Sequence, residues 1–196
     1  MAYLISAHFL KRRPDPAQLR AALPNSIGFT VYEHETHPVF AIDTYRATKP
    51  SRYPFSAATP ATDLSLDISA ELSTIYEQLR AENAANGLKR SYINLCRALS
   101  TATTQEVLSV YADDDGNDFT CLCRDGQLLS GVARCEPHIV RFGASSASLA
   151  PASGETALHQ LASEAVSSFL GVAASGLGFG AFDPPENYGF RPAANV

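Results

Sequence analysis

Residues 107–142 read VLSVYADDDGNDFTCLCRDGQLLSGVARCEPHIVRF, and the fold turns on how that stretch is divided. Read for geometry, it holds three strand-like runs, Val107–Ala112, Phe119–Cys123 and Gln127–Ala133, with a fourth short run at His138–Phe142. An Asp113-Asp114-Asp115-Gly116-Asn117-Asp118 turn and an Asp125-Gly126 turn separate the first three. Asp, Asn and Gly tolerate the positive φ of tight hairpins, so these turns fall where an antiparallel meander needs them.

Read for chemistry, the same residues offer a zinc set, Cys121, Cys123, Cys135 and His138, in a CxC…CxxH arrangement. Strand geometry opposes it. Residues i and i+2 share a face with β-carbons roughly 6–7 Å apart, at a rise of about 3.3 Å per residue. Zinc with bonds of about 2.3 Å wants the sulfurs under roughly 4 Å apart, so a bulge at Leu122 would be required. Free cysteine is also a common buried small hydrophobe, and the sequence reading therefore assigns no metal and no cofactor. A calcium loop fails too: Tyr111 stands where the first ligand belongs, and no Glu lies six residues past Gly116. The acidic turn reads as a solvated tip that discourages unwanted edge pairing.

Upstream of the meander, two apolar stripes have helical spacing. Ile68, Leu72, Ile75, Tyr76 and Leu79 form one, with Asp67 as the expected cap and Asn86-Gly87 as the expected stop. Leu88, Tyr92, Leu95, Cys96 and Leu99 form the second, and the two helices are expected as an antiparallel pair, each stripe facing a sheet or the other helix. Residues 47–62 hold Lys49-Pro50, Tyr53-Pro54 and Thr59-Pro60 and read as a surface loop. The opening reads β-α-β-β. Residues 2–10 are apolar on both faces, as in a covered central strand. Asp15 and Pro16 then start a helix, Pro24 ends it, and 27–33 with 39–46 make a hairpin whose register the alternation leaves open. This order is similar to half of a ferredoxin-like fold, a likeness of topology that implies no function.

Downstream, 143–153 reads as a small-residue connector, and 155–170 as a helix with Leu158, Leu161, Ala165, Val166 and Phe169 inward and Gly171 as its stop. The tail from 176 to 196 carries Phe179, Phe182, Tyr188 and Phe190 in loop-like, proline-bearing sequence. Disordered tails are poor in aromatics, so this one is expected to pack, on its own domain or on a partner. The whole is an α+β protein in a single domain. A subdivision into 1–62, 63–175 and 176–196 is the other way to divide it.

The hydrophobic fraction of 45% with 18% charged residues is that of an ordinary globular protein. A net charge of −5 argues against non-specific nucleic-acid binding, and no apolar run reaches the roughly 20 residues of a membrane span. Four cysteines without framework spacing, and an N-terminus without the layout of a signal peptide, point to reduced thiols in the cytoplasm. The other histidines read blandly: His34 and His37 in a turn, His8 and His159 on apolar faces. No nucleophile elbow or phosphate loop is present.

Two functions remain. The first is a non-catalytic protein that binds another protein, as toxin-neutralising or regulatory proteins do, or a second copy of itself. Its surfaces would be the acidic residues Asp113, Asp114, Asp115 and Asp118, suited to a basic partner, and the aromatics Phe179, Phe182, Tyr188 and Phe190. The second is a small enzyme, metal-dependent or not, assembled from His34, His37, Asp43 or the Cys121, Cys123 and His138 set.

Overall fold

The computed structural model describes residues 4–25, 27–46, 69–113, 116–152, 160–171 and 189–193. The strands are β1 (Leu4–Leu10), β2 (Ile27–His34), β3 (Phe40–Arg46), β4 (Val107–Asp113), β5 (Asp118–Arg124), β6 (Gln127–Cys135), β7 (His138–Gly143), β8 (Ala147–Pro151) and β9 (Phe190–Pro192). The helices are α1 (Pro16–Ala22), α2 (Ala70–Ala81), α3 (Arg90–Thr103) and α4 (Gln160–Leu170), with a 3-10 turn at Ala85–Gly87. The strands form one antiparallel sheet in the order β8-β7-β6-β5-β4-β1-β3-β2-β9, which makes the protein α+β.

The sheet grows outward from β1. That strand is buried on both faces: Leu10 packs toward one side while Ala7 and Phe9 pack toward the other. It pairs with β3 and with β4, so β4-β1-β3-β2 form a split β-α-β arrangement with α1 and α3 adjacent on one face. The meander β4 to β7 then extends the sheet by consecutive hairpins, as the turn residues require. Gly116 has φ 87° and Gly126 has φ 77°, and Asp125 adopts the left-handed region at φ 49°.

Three helices cover one face, hereafter the α3 face. Leu19, Leu72, Leu79, Tyr92, Leu95 and Leu99 meet Val31, Ile42, Phe119, Ala133, Val140 and Phe142 of the strands. On the opposite, α4 face, Ala162, Val166 and Phe169 pack on Phe9, Ala41, Leu108, Val110 and Ala112. At about 1.5–3 kcal/mol for each large apolar side chain removed from water, the α3 face is the larger source of stability.

Several boundaries depart from the sequence expectation. α1 starts as expected, with Asp15 Oδ1 accepting the Ala17 N–H at 2.9 Å. α2 is capped by Ser69, whose Oγ accepts the Leu72 N–H at 3.2 Å; Asp67 and Ile68 lie outside the described residues. It ends at Ala81, before the Asn86-Gly87 pair, which forms the short 3-10 turn instead. α2 and α3 touch where Arg90 lies 4.2 Å over the Tyr76 ring, but each directs its apolar stripe at the sheet, α3 at β4–β6 beside α1 and α2 at β8. The connector expected at 143–153 contains β8, whose Ala147 and Leu149 turn inward to the core while β7 supplies the hydrogen bonds. The 47–62 loop and His159 lie outside the described residues, and no described helix is long and apolar enough to cross a membrane.

Candidate functional sites

α3 lies across β5, and this crossing brings Cys96 onto Cys121 and Cys123. Cys121 and Cys123 face α3 because alternate residues of β5 share a face. Cys96 faces the strand as part of its helix's buried stripe. The three sulfurs lie within 4.8 Å of one another, and all three residues are buried. The β5–β6 pairing shifts register between Leu122 and Cys123, leaving Leu129 without an opposite residue and 41% exposed. The irregularity thus falls beside the cysteine pair, with the extra residue on β6.

The thiols are bonded inside the core. Cys96 Sγ donates to the Val107 carbonyl at 3.1 Å, and Cys121 Sγ to the Tyr92 carbonyl at 3.8 Å. Burial opposes ionisation of Cys96, while hydrogen bonds from Cys121, Cys123 and Ser109 favour it. The contact to the Val107 oxygen decides for the neutral thiol, because a thiolate has no proton to donate. Burial likewise holds the Cys121 pKa well above that of a free thiol.

The other half of the CxC…CxxH set does not join this cluster. Cys135 is buried against Gly87, and burial pushes its pKa up to about 12. His138 bonds to Glu82 Oε2 at 2.7 Å beyond the end of α2, which draws the Glu82 pKa down. Cys96 was visible in the sequence only as part of a helical stripe; what makes it a neighbour of Cys121 is the packing of that stripe on β5.

His8 is the hydrogen-bonded core histidine expected of its sequence context. Its Nδ1 bonds to Ser109 Oγ at 2.6 Å, its Nε2 to Thr44 Oγ1 at 3.3 Å, and its ring lies 5.7 Å from that of Tyr92. Burial lowers its pKa to about 4, so the ring is neutral near pH 7.

Asp118 belongs elsewhere than the solvated acidic tip. It is fully buried on the α4 face, where Oδ2 accepts the Leu161 N–H at 3.0 Å and Oδ1 the Ala162 N–H at 2.9 Å. It therefore fills the anion site at the start of α4, beside Arg134, its cross-strand partner. Burial nevertheless raises its pKa to about 6 against the opposing pull of those N–H groups and of Arg134. Asp113 ends β4, and Asp114 and Asp115 lie outside the described residues.

Phe190 is likewise engaged within the chain. It is buried, opens β9 opposite His34, and sets its ring edge-on to that imidazole at 4.9 Å. Phe179, Phe182 and Tyr188 lie outside the described residues. His34 Nδ1 accepts the Thr36 and His37 N–H groups, both at 3.2 Å, so that nitrogen serves the turn. Asp43 pairs with Thr30, four residues along β2 from His34 and about 13 Å away at the strand rise. His34 and His37 do come together, with ring centroids 4.9 Å apart, but Asp43 stands away from them. His138 lies away from the Cys96, Cys121 and Cys123 cluster and toward the other end of the sheet from His37.

Open clefts also lie among the described residues. One of about 400 Å³ is lined by Lys11, Arg12, Gln105, Glu106, Arg124 and Asp125. Its charges are largely engaged locally: Arg12 Nη2 donates to the Thr104 carbonyl at 2.9 Å, and Arg124 pairs with Glu106. The second, about 230 Å³, lies between the Asn83–Gly87 turn and the β6–β7 corner. No protein-family model matches the sequence, and neither a curated protein nor a solved structure matches it.

Proposed function

We propose that this protein acts without catalysis, by binding another protein through an open edge of its sheet. The observation that carries the reading is β8, which among the described residues has one strand neighbour, β7. In an antiparallel ladder hydrogen-bonded pairs alternate. Gly143 N–H donates to the Ser146 carbonyl at 2.8 Å and Ala152 N–H to the Pro137 carbonyl at 2.8 Å, so the even-numbered residues of β8 face β7. Ala147 and Leu149 therefore direct their N–H and C=O groups away from the sheet. Pro151 has no N–H and limits the length of that edge. The strand reads Ala-Ser-Leu-Ala-Pro, without the charges that usually protect an edge. A partner strand adding here would gain main-chain hydrogen bonds. The Asp113-Asp114-Asp115 run, which begins at the last residue of β4, supplies negative charge that favours a basic partner and speeds its encounter.

The test is capture of a partner from extract of the source organism at low and moderate salt, repeated with Ala147→Pro. That substitution removes an outward N–H and leaves the β7 ladder intact. The expected result is a stoichiometric partner whose affinity falls at least tenfold in the variant, roughly 1.4 kcal/mol or more. Changing Asp113, Asp114 and Asp115 to Asn should slow association and flatten its salt dependence. A partner held equally by Ala147→Pro, or the absence of any partner at both salts, would overturn the reading.

A further inference from the structure

The thiol trio is the feature that a binding function leaves unused. Core cysteines are ordinary, but three sulfurs from two elements converging within 4.8 Å, with no other donor type among them, are a ligand set. Three sulfurs around one ion at about 2.3 Å stand roughly 3.8–4.0 Å apart. Each Cys96, Cys121 and Cys123 sulfur thus needs less than about 1 Å of side-chain adjustment to meet that spacing.

The geometry points to a thiophilic metal site at Cys96, Cys121 and Cys123 that takes a soft, low-coordinate ion, Cu(I). Donor type and number choose the ion. Structural zinc is almost always four-coordinate, and the nearby imidazole of His8 is engaged at both ring nitrogens by Ser109 and Thr44. Soft thiolate ligands select Cu(I), and a three-sulfur set needs no fourth ligand. The surroundings are closed and largely apolar: Tyr92, Leu95, Leu99, Val107 and Phe119 pack in the same core cluster, and the Ser109 hydroxyl beside Cys96 is bonded to His8 Nδ1 at 2.6 Å. A water ligand is excluded by that packing, which also favours an ion content with sulfur alone.

Binding is proton exchange, not redox. Each thiol that becomes a ligand thiolate loses its S–H proton to solvent, copper enters and stays as Cu(I), and no electron is transferred. The carbonyls of Val107 and Tyr92 lose their thiol donors in the loaded state, so affinity rises with pH as the protons are released. Because the three residues are at most 1% exposed, the ion enters while α3 docks on β5 or when that contact opens.

The experiment loads the full-length chain with Cu(I) under anaerobic conditions during refolding, removes excess with a competing Cu(I) chelator, and measures copper per chain. One ion per chain is expected, with thiolate-to-Cu(I) charge-transfer absorption in the ultraviolet. Cys96→Ala, Cys121→Ala and Cys123→Ala should each weaken retention at least tenfold. Cys135→Ala, which removes a buried thiol outside the trio, should retain the ion. X-ray absorption on the loaded wild-type chain needs no variant to fold, and should report a first shell of three sulfurs. Retention of no copper, equal retention by Cys121→Ala, equal loss in Cys135→Ala, or a shell containing nitrogen or oxygen would each overturn the site.

Discussion

The two faces of this sheet bury their polar groups by opposite means. On the α3 face, His8 is kept neutral by removal from water between the Ser109 and Thr44 hydroxyls, and the thiols of Cys96 and Cys121 donate to the Val107 and Tyr92 carbonyls. On the α4 face, Asp118 is set against two helix N–H groups and Arg134, a place built for negative charge, yet burial still raises its pKa to about 6. The first face rests on a broad apolar core and tolerates polarity only when it is silent. The second has a smaller core and fastens the start of α4 through Asp118. The difference teaches which helix opens first: α4 leans on fewer large side chains, so local unfolding should begin there.

The largest expected effect tests that ranking. Phe119 packs on the α3 face with its ring 6.2 Å from Tyr92 and stacked at 6.0 Å on Phe142. Phe119→Ala should cost about 3–5 kcal/mol by chemical denaturation. Val166→Ala, on α4, should cost about 2 kcal/mol, from two lost methyl groups and the space they leave. Hydrogen exchange should show the second substitution confined to α4 and the first felt globally. Equal costs, or global effects from both, would remove the asymmetry between the faces.

Acid should act on the two faces with opposite sign. His8 has a folded pKa of about 4, below its ordinary 6.5. Its contribution is present above pH 6.5 and is lost as pH falls through 4. Asp118 has a folded pKa of about 6, above its ordinary 3.8. Its contribution is present below pH 3.8 and is lost as pH rises through 6. At about 1.4 kcal/mol per pKa unit, each amounts to roughly 3 kcal/mol, so they offset one another between pH 4 and 6. Relative to the wild type over that range, His8→Gln should gain stability on acidification and Asp118→Asn should lose it. Two variants with the wild-type slope in urea titrations would show that neither group is shifted by its face.

The way each face is built also explains what the sequence made legible. Strands with alternating burial and turns rich in Asp, Asn and Gly were readable because the information is local, and so were α1, α3 and the stop at Gly171. β8 was not: Ala147–Pro151 has weak strand character, and only the ladder to β7 makes it extended. The role of Asp118 was hidden because one residue in an acidic run looks like its neighbours until α4 is placed above it. The thiol trio was half legible. The shared face of Cys121 and Cys123 follows from strand periodicity, but Cys96 joins them through a tertiary crossing 25 residues away.

The smallest effect compares how the helix on each face ends. α3 ends at Thr104, a β-branched residue in the left-handed region at φ 49°, whereas α4 ends at Gly171 with φ 71°. A β-carbon in that region costs roughly 1–2 kcal/mol, which glycine avoids. Thr104→Gly removes this strain at the price of extra freedom in the unfolded chain, and should stabilise by about 0.5–1 kcal/mol. The Arg12 contact survives it, because it is made to the Thr104 carbonyl. Gly171→Ala should destabilise by about 1 kcal/mol through backbone strain alone, since a β-carbon there would meet nothing within 4 Å. Opposite shifts in the denaturation midpoint at constant slope are the expected result. A destabilised Thr104→Gly would mean that the threonine side chain contributes more to the end of α3 than its strain removes.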